Sequence, residues 1–300
     1  MEESRPRASR LWDYINRYHL REEDIRDLDS FKSSRVNHKL TLWNPGTNGV
    51  RYLKALIFNI CSTLTEREWE KLKKIRGRDL GNPYAVIYNG ETVCLDYLQT
   101  VFEINFIEKG VNLQGTSVIE IGAGYGRTCH ALLSNYDISR YTIIDLRNAL
   151  GLSRSYLKAV LDDQAYSKIN FVEVDLFHEV SKGKYDLCVN IDSFAEMEER
   201  TVRLYLAFVD NCCGSFYVKN PVGKYLDMPV DGQKTENEVV AMAMETGIMR
   251  DVVDIYDNEA VLSRSGDFIA GYRPSMDWSC LDHGWARPWS FYWQALYRRR

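Results

Sequence analysis

A glycine-rich turn and two carboxylic acids carry the strongest chemical signal in this 300-residue sequence. Glu120 lies in the apolar run 117–121, and the turn Gly122–Gly126, with glycine at every second position, follows directly. Asp145 closes the next apolar run, twenty-five residues after Glu120. Alternating glycines let the backbone turn tightly and let a ligand approach closely. A carboxylate accepts two hydrogen bonds at once and therefore suits a vicinal diol.

A parallel sheet would bring these residues together. From Gln114 onward, apolar segments of strand length alternate with segments of helical spacing, which is typical of a doubly wound α/β sheet. The predicted strands are Ser117–Ile121, Tyr141–Asp145, Asn170–Val174, Leu187–Ile191, Ser215–Lys219, Val252–Tyr256 and Phe268–Tyr272. The predicted helices are Leu150–Leu161, Glu198–Val209 and Thr235–Glu245. The last two strands are expected to form an antiparallel hairpin at the sheet edge.

Residues 1–110 differ from the rest of the chain, because they read as a mainly helical cap with one hairpin. Asn89-Gly90, between the predicted strands of residues 85–95, is typical of a type I′ turn. Thr65 and Glu68 form a capping-box pattern that predicts a helix through Lys73. The other helices predicted in this cap are Leu11–Tyr18, Val50–Cys61 and Asp96–Phe106.

Composition excludes several classes of protein. The net charge of −4 and a pI near 5.8 give no basic footprint for nucleic acid. Seven cysteines without a C-x-x-C pair predict reduced thiols in a cytoplasmic protein and no zinc site. No stretch approaches the roughly 18 apolar residues of a membrane span, so no membrane association is expected.

The segment 120–126, EIGAGYG, resembles the first motif of class I S-adenosylmethionine-dependent methyltransferases. Its spacing differs from the G-x-G-x-x-G of dinucleotide enzymes. The resemblance implies a Rossmann-like, doubly wound sheet of seven strands with S-adenosylmethionine as cofactor. It also implies that Asp145 accepts hydrogen bonds from the ribose hydroxyls. The domains expected are the cap (1–110), the methyltransferase domain (111–276) and an aromatic C-terminal segment (277–300).

Ligands of open α/β sheets bind beyond the carboxyl ends of the strands, so the residues that close each strand are the candidates. Leu146 is expected to pack on the adenine, and Asp175 to accept from its amino group. Glu120 is expected to bond either the amides of its own turn or the methionine ammonium. The full set of predicted cofactor-binding residues is Glu120, Gly122, Ala123, Gly124, Tyr125, Gly126, Asp145, Leu146, Asp175, Leu176 and Asn190.

Four stretches together resemble the sugar O-methyltransferase family: GNPYAVIYNGETV, IGAGYGR, DLRNALGLSRSYL and SFAEM. The resemblance spans Gly81 to Lys219 and implies a sugar hydroxyl as the methyl acceptor. Two alternatives stay open: methylation of a phenol, amine or peptide, and a cofactor-binding accessory protein without catalysis.

A sugar hydroxyl has a pKa far above neutrality, so its methylation benefits from a general base or a metal ion. Asp192 and Glu196 are the preferred candidates for the base, followed by His283 and His178. Two carboxylates near one acceptor could also hold Mg²⁺. The sequence assigns no set of metal ligands.

The tail Asp277–Arg300 contains four of the seven tryptophans. One interpretation is an aromatic lid over a glycan. The other, which we favour from sequence, is an amphipathic helix over Pro288–Arg298 that covers the N-terminal region or a partner subunit. The second interpretation leaves a homodimer open.

Overall fold

The computed structural model describes residues 17–18, 45–180, 182–225 and 238–300. The chain divides into two compact units, Met1–Asn59 and Ile60–Arg300. Helix α1 (Pro45–Thr63) includes and extends the predicted helix Val50–Cys61. Of the predicted helix Leu11–Tyr18, residues 11–16 lie outside the described part of the chain.

The second unit begins with two helices and a hairpin, as predicted. Helix α2 (Glu66–Lys74) starts at Thr65, whose side chain and that of Glu68 form the capping box. Strands β1 (Ala85–Tyr88) and β2 (Glu91–Cys94) pair antiparallel. Asn89 and Gly90 both have positive φ, 50° and 81°, which is the backbone of a type I′ turn. Helix α3 (Leu95–Ile107) follows β2 without a break.

The remaining elements form the sheet and its flanking helices. In chain order they are β3 (Ser117–Ile121), α4 (Arg127–Asn135), β4 (Arg140–Asp145), α5 (Arg147–Val160), α6 (Asp163–Ser167), β5 (Ile169–Glu173), α7 (Phe177–Val180), β6 (Tyr185–Ile191), α8 (Glu199–Cys212), β7 (Cys213–Pro221), α9 (Glu238–Glu245), α10 (Asn258–Ser263), α11 (Ser265–Tyr272), β8 (Trp278–Trp285) and β9 (Tyr292–Arg299). Short 3₁₀ turns follow β5 at Val174–Leu176 and β6 at Ser193–Glu196.

The seven strands lie in the order β5-β4-β3-β6-β7-β9-β8. The first five of these are mutually parallel, whereas β9 runs antiparallel to both β7 and β8. The chain order reverses between β3 and β6, so the carboxyl ends of these two strands flank the switch point of the sheet. That position is where ligands of open α/β sheets bind.

The two edge strands were predicted in the wrong place. Val252 makes only an isolated bridge with Lys224, and the segment Phe268–Tyr272 lies within helix α11. Phe268 and Tyr272 are both fully buried. They stand four residues apart, a spacing that puts two side chains on one face of a helix and also on one face of a strand, so it could not separate the two.

The predicted helix over Pro288–Arg298 is also wrong, because most of that segment is strand β9. Strand β9 lies between β7 and β8 and is buried on both faces from Trp293 to Tyr297. A strand of that kind reads as a continuous apolar run without alternation, which periodicity cannot separate from a helix. The aromatic tail is therefore part of the sheet.

The core lies on both faces of the central strands, where Val118, Ile119 and Ile121 of β3 are fully buried. All seven cysteines are free thiols, and six of them are buried, as the sequence predicts. Within the described ranges, we find no helix with the length and apolar character that crossing a membrane requires.

Candidate functional site

The glycine-rich turn joins β3 to α4 at the switch point of the sheet. Gly122, Gly124 and Gly126 have φ of +74°, +59° and +94°, a left-handed conformation that side chains disfavour. A Cβ atom on Gly122 would lie 2.2 Å from Ser193 Oγ, whereas one on Gly124 would meet nothing within 4 Å. The turn is therefore packed tightly at its start and open at its centre.

Asp145 lies at the end of β4, beside this turn. Its Oδ2 accepts from the Gly124 N–H at 2.8 Å, and its Oδ1 accepts from the Leu146 N–H at 2.7 Å. Each carboxylate oxygen still has acceptor capacity for a second donor, because an ionised carboxylate offers about four lone-pair sites. The neighbouring Leu146 side chain is 68% exposed and provides an uncovered apolar surface. The sequence-predicted juxtaposition of turn, acid and apolar residue is present.

Glu120 has neither of the partners expected from the sequence. Its side chain is buried and accepts from the Tyr141 hydroxyl at 2.7 Å on the neighbouring strand β4. Burial raises the pKa of the Glu120 carboxyl from 4.5 to about 7, although the Tyr141 and Thr128 hydroxyls oppose that rise. Glu120 therefore belongs to the core beneath the turn and does not line a cavity.

This burial predicts a pH-dependent stability. The native Glu120 binds a proton between about pH 4.5 and 7 that the unfolded chain releases, so its contribution to stability is lost as pH rises through that window. Between pH 5 and pH 8, the unfolding free energy of Glu120→Gln should fall by about 1–3 kcal/mol less than that of the wild type. Urea unfolding at several pH values measures this.

The comparison with the wild type isolates Glu120. Burial lowers the pKa of His130 to about 4, so His130 makes the unfolding free energy rise with pH. This contribution is the same in both proteins and cancels when their pH profiles are subtracted. Identical pH profiles for the two proteins would contradict the burial of an ionisable Glu120.

Asn190 also supports the turn rather than facing a ligand. It is fully buried, and its Nδ2 donates to the Ile121 carbonyl at 3.0 Å and to Ser193 Oγ at 2.7 Å. Its Oδ1 accepts from Asn220 at 2.9 Å. These bonds hold the backbone directly before Gly122. The predicted cofactor contact of Asn190 is therefore replaced by a structural role.

A cavity of about 490 Å³ opens between the turn, helix α3 and the β8–β9 connection. Gly122, Ala123, Gly124 and Tyr125 of the predicted set line it, together with Asp192. The other lining residues are Asp96, Gln99, Arg127, Ile191, Lys219, Tyr225, Trp289, Phe291 and Tyr292. Gly126 lies just outside this wall, where a Cβ atom would meet Leu157 at 2.8 Å.

Two cations at the cavity are paired with one buried acid. Glu103 is 2% exposed and pairs with Lys219 at 2.8 Å and with Arg127 at 3.1 Å. These two cations hold the pKa of the Glu103 carboxyl below its ordinary value although burial opposes it. Lys219 also donates to Gln99 at 3.0 Å. The charges of these cations are therefore directed into the protein rather than toward a ligand.

Asp192 is the acidic residue on the β6 side of the cavity. It follows β6 with φ of +68°, and its Oδ1 accepts from the Tyr292 hydroxyl at 2.6 Å. Burial, followed by the charge of Asp192, raises the pKa of Tyr292, so the phenol remains a hydrogen-bond donor. The structure thus places a carboxylate and an aromatic residue of β9 side by side at the cavity.

The other three candidates for the base do not line the cavity. Glu196 lies in the 3₁₀ turn after Asp192, and burial and the charge of Asp192 raise its pKa. His178 is exposed on α7. His283 is exposed on the edge strand β8, where its ring lies 5.9 Å from that of Trp293. Only Asp192 of the four predicted residues is in position to meet a substrate in this cavity.

Asp175 and Leu176 follow β5, the edge strand on the other side of the sheet. Both side chains are exposed, and neither lines the cavity; Asp145 and Leu146 do not line it either, but Asp145 is bonded to the turn that does. A metal site is not found either: in residues 45–180, 182–225 and 238–300, no three His, Cys, Asp or Glu side chains are grouped so that they could hold an ion.

Comparison with known proteins gives distant structural similarity only. No protein-family model and no curated sequence matches the chain. The pyocyanin biosynthetic protein PhzM is 16% identical over 77% of this chain and 61% of its own, with a TM-score of 0.43. The mitomycin 7-O-methyltransferase MmcR is 13% identical over 78% of this chain and 68% of its own, with a TM-score of 0.45. The methyltransferase domain of bacterial CtHen1 is 14% identical over 68% and 99%, with a TM-score of 0.47.

Because every one of these TM-scores is below 0.5, the fold is assigned from strand order and direction. Five parallel strands are extended by a reversed β9 between β7 and the edge strand β8, and the glycine-rich turn follows the central β3. This is the Rossmann-like, doubly wound sheet of seven strands that the resemblance to class I methyltransferases implies. In this fold the cap contributes helix α3, whose Asp96 and Gln99 face the turn across the cavity.

The structure places several residues at the site that sequence reasoning missed. They are Asp96, Gln99, Glu103 and Arg127 on or next to α3 and α4, Lys219 at the end of β7, and Trp289, Phe291 and Tyr292 at the β8–β9 connection. Trp289 Nε1 donates to Gln99 Oε1 at 3.0 Å, which joins segments 190 residues apart. Lys219 closes the predicted strand Ser215–Lys219, so the rule for strand ends could have indicated it. No signal in the sequence links α3 to the tail.

Proposed function

We propose that this protein transfers a methyl group from S-adenosylmethionine to a hydroxyl oxygen on a sugar or glycosylated small molecule. The observation that carries the proposal is that one cavity is lined both by the glycine-rich turn and by the Asp192–Tyr292 pair. Asp145 accepts a hydrogen bond from this turn but does not itself line the cavity. A cofactor held at the turn would therefore have an acidic residue and an aromatic surface next to its reactive end.

The described residues fit the cofactor. Asp145 would accept the ribose hydroxyls with the lone pairs that Gly124 and Leu146 leave over, and the exposed Leu146 side chain would cover the adenine. The open space above Gly124 gives the room for close approach. When bound, the sulfonium supplies an electrophilic methyl group, so the protein needs to align the acceptor and exclude water.

Asp192 would act as the general base. The acceptor hydroxyl loses its proton as the oxygen–methyl bond forms, and Asp192 at the cavity wall would take that proton. The hydrogen bond from Tyr292 fixes the orientation of the carboxylate, since it joins Oδ1 and leaves Oδ2 for the acceptor. Glu196 lies nearby in the chain, but its pKa is raised by burial and then by repulsion from Asp192, and its side chain does not line the cavity.

The aromatic wall supports a sugar-type acceptor. Trp289, Phe291 and Tyr292 line the cavity from the β8–β9 connection, and Tyr225 packs against Phe291 with ring centroids 4.8 Å apart. Aromatic faces provide flat apolar surface next to polar groups, a combination that suits a ring with C–H faces and hydroxyl edges. The tail would thus form one aromatic wall around such an acceptor.

Transfer of a labelled methyl group from S-adenosylmethionine tests the proposal. The acceptor panel contains nucleotide sugars, glycosylated metabolites, phenols and amines, each with Mg²⁺ and with EDTA. Label on a sugar hydroxyl that persists in EDTA supports a side-chain base, and loss in EDTA supports a metal instead. Label confined to phenols or amines overturns the acceptor class. Cofactor binding without transfer to any acceptor favours an accessory protein.

Asp145→Ala tests the cofactor half of the proposal. We expect the affinity for S-adenosylmethionine to fall by about 1.5–3 kcal/mol, the range for hydrogen bonds to a charged group. Calorimetric titration measures it, with Glu173→Ala as the matched control. Glu173 is the register partner of Asp145 on β5 and pairs with Arg147 at 3.0 Å. Equal affinities for the two variants would contradict the assigned role of Asp145.

A further inference from the structure

Asp96 is an acidic residue that faces the glycine-rich turn from the cap. It lies in the first turn of α3, its side chain is exposed, and it lines the cavity. Its Oδ2 accepts from the Tyr125 hydroxyl at 3.0 Å, and Tyr125 belongs to the turn itself. The carboxylate is therefore tied to the turn while it keeps acceptor capacity for a further donor.

The helix that carries Asp96 is fixed in the core. Tyr97, the next residue, is 1% exposed, and its hydroxyl bonds His130 Nδ1 at 2.8 Å and the Tyr156 hydroxyl at 2.5 Å. Arg127 also donates to the Asp96 carbonyl at 2.8 Å. These contacts join α3 to α4 and α5, so the packing holds the backbone of Asp96, and the bond from Tyr125 holds its carboxylate.

The charge of the cavity favours a cationic group near Asp96. Arg127 and Lys219 are its two cations, and both are paired with Glu103 beneath the wall. Among the described residues, neither Asp96 nor Asp192 forms an ion pair within 4 Å, although the charge of Asp96 acts on Arg127 and that of Asp192 on Lys224. Three carboxylates against two cations leave this region with a net negative charge.

Two carboxylates accept hydrogen bonds from neighbouring residues of the turn: Asp145 from the Gly124 N–H and Asp96 from the Tyr125 hydroxyl. A molecule with its ribose at Asp145 and its chain across the turn would bring its amino-acid end to Asp96. The role considered for Glu120 from sequence, contact with the ammonium group, is unavailable to Glu120 because that side chain is buried against Tyr141.

We infer that Asp96, oriented by the Tyr125 hydroxyl, binds the primary ammonium group of the methionine end of S-adenosylmethionine. The inference rests on the proposed function, because it takes that cofactor as the ligand. It assigns the cap a direct share in cofactor binding. It also distinguishes Asp96 from Asp192, whose Oδ1 is bonded to Tyr292 at the aromatic side of the cavity.

Calorimetry with two ligands tests the inference on the full chain. S-adenosylhomocysteine has the ammonium group, whereas 5′-methylthioadenosine has the same nucleoside and thioether but no amino-acid end. We expect Asp96→Asn to weaken S-adenosylhomocysteine about 10- to 100-fold, as for other hydrogen bonds to a charged group, and to leave methylthioadenosine unchanged. Tyr125→Phe, which keeps the carboxylate, should weaken only S-adenosylhomocysteine and by less.

Asp137→Asn is the matched control, because it removes one carboxylate that is 82% exposed and paired with Lys168 away from the cavity. Its affinities should equal those of the wild type. Equal loss of both ligands in Asp96→Asn would show a structural effect and overturn the inference, as would no loss of either. If the wild type binds neither ligand, the proposed function fails and this inference with it. If it binds both and Asp96→Asn changes neither, this inference fails alone.

Discussion

Asp192→Asn should lower kcat for methyl transfer to a sugar hydroxyl by about 100-fold or more, the low end of what a positioned general base contributes. The affinity for S-adenosylmethionine should stay close to that of the wild type, because Asp192 lies at the aromatic side of the cavity. Asparagine keeps the size of the side chain and can still accept from Tyr292. It cannot take the proton of the acceptor, so the loss falls on the chemical step.

Two further variants separate the proton acceptor from its surroundings. Tyr292→Phe removes the hydrogen bond at 2.6 Å but keeps the ring, so kcat should fall by less than in Asp192→Asn. Glu196→Gln removes the neighbouring acid that does not line the cavity, and kcat should change little. Single-turnover rates at saturating cofactor measure all three. A full rate in Asp192→Asn would contradict the base assignment and would favour an acceptor such as a phenol, whose pKa is about 10.

The central half of the sheet could be predicted from the sequence because each strand carries its own local signal. Strand β3 is an apolar run of strand length bounded by a glycine-rich turn, and Asp145 closes the next run. The predicted bounds of β3, Ser117–Ile121, are those of the structure. Buried parallel strands produce such runs wherever helices cover both faces.

The edge of the sheet could not be predicted in the same way. Strand β9 pairs with β7, which lies more than seventy residues earlier, and the pairing is set by tertiary contacts that leave no periodic pattern. The connection between the two aromatic strands, residues 286–291, contains the cis peptide before Pro288. A tryptophan-rich segment of this length is equally compatible with one face of a helix, which explains the wrong assignment.

The residues that line the cavity could likewise be predicted only in part. The turn and Asp192 follow strands and could be named from the rule for open sheets, whereas Asp96, Gln99 and Trp289 meet only because the cap and the tail approach the same end of the sheet. Burial also decided residue roles that spacing left open. Glu120 and Asn190 stand at positions that suggest ligand contact. Both side chains are instead buried and form hydrogen bonds within the sheet, Glu120 with Tyr141 and Asn190 with the Ile121 carbonyl.

The tight start of the glycine-rich turn makes Gly122 the most sensitive of its glycines. Gly122→Ala should lower the unfolding free energy by about 2–5 kcal/mol, which combines a left-handed backbone with overpacking. The overlap is with Ser193, whose Oγ and Cβ would lie 2.2 and 2.4 Å from the new methyl carbon. Ser193 has little freedom to move, because its Oγ donates to the Ile121 carbonyl and accepts from Asn190.

Gly124→Ala is the matched control, since its φ is +59° but a Cβ there would meet nothing within 4 Å. It should cost only the backbone penalty of about 1–2 kcal/mol. Urea unfolding at one pH gives both values, and the difference between them measures the contact with Ser193. Adding Ser193→Gly to Gly122→Ala removes both overlapping atoms and should recover most of that difference, whereas Ser193→Gly alone should destabilise the protein by removing its bond to Ile121. Equal costs for the two alanine variants would contradict the packing of Ser193 against the turn. They would also contradict the account of how Asn190 and Ser193 hold the glycine-rich turn in place.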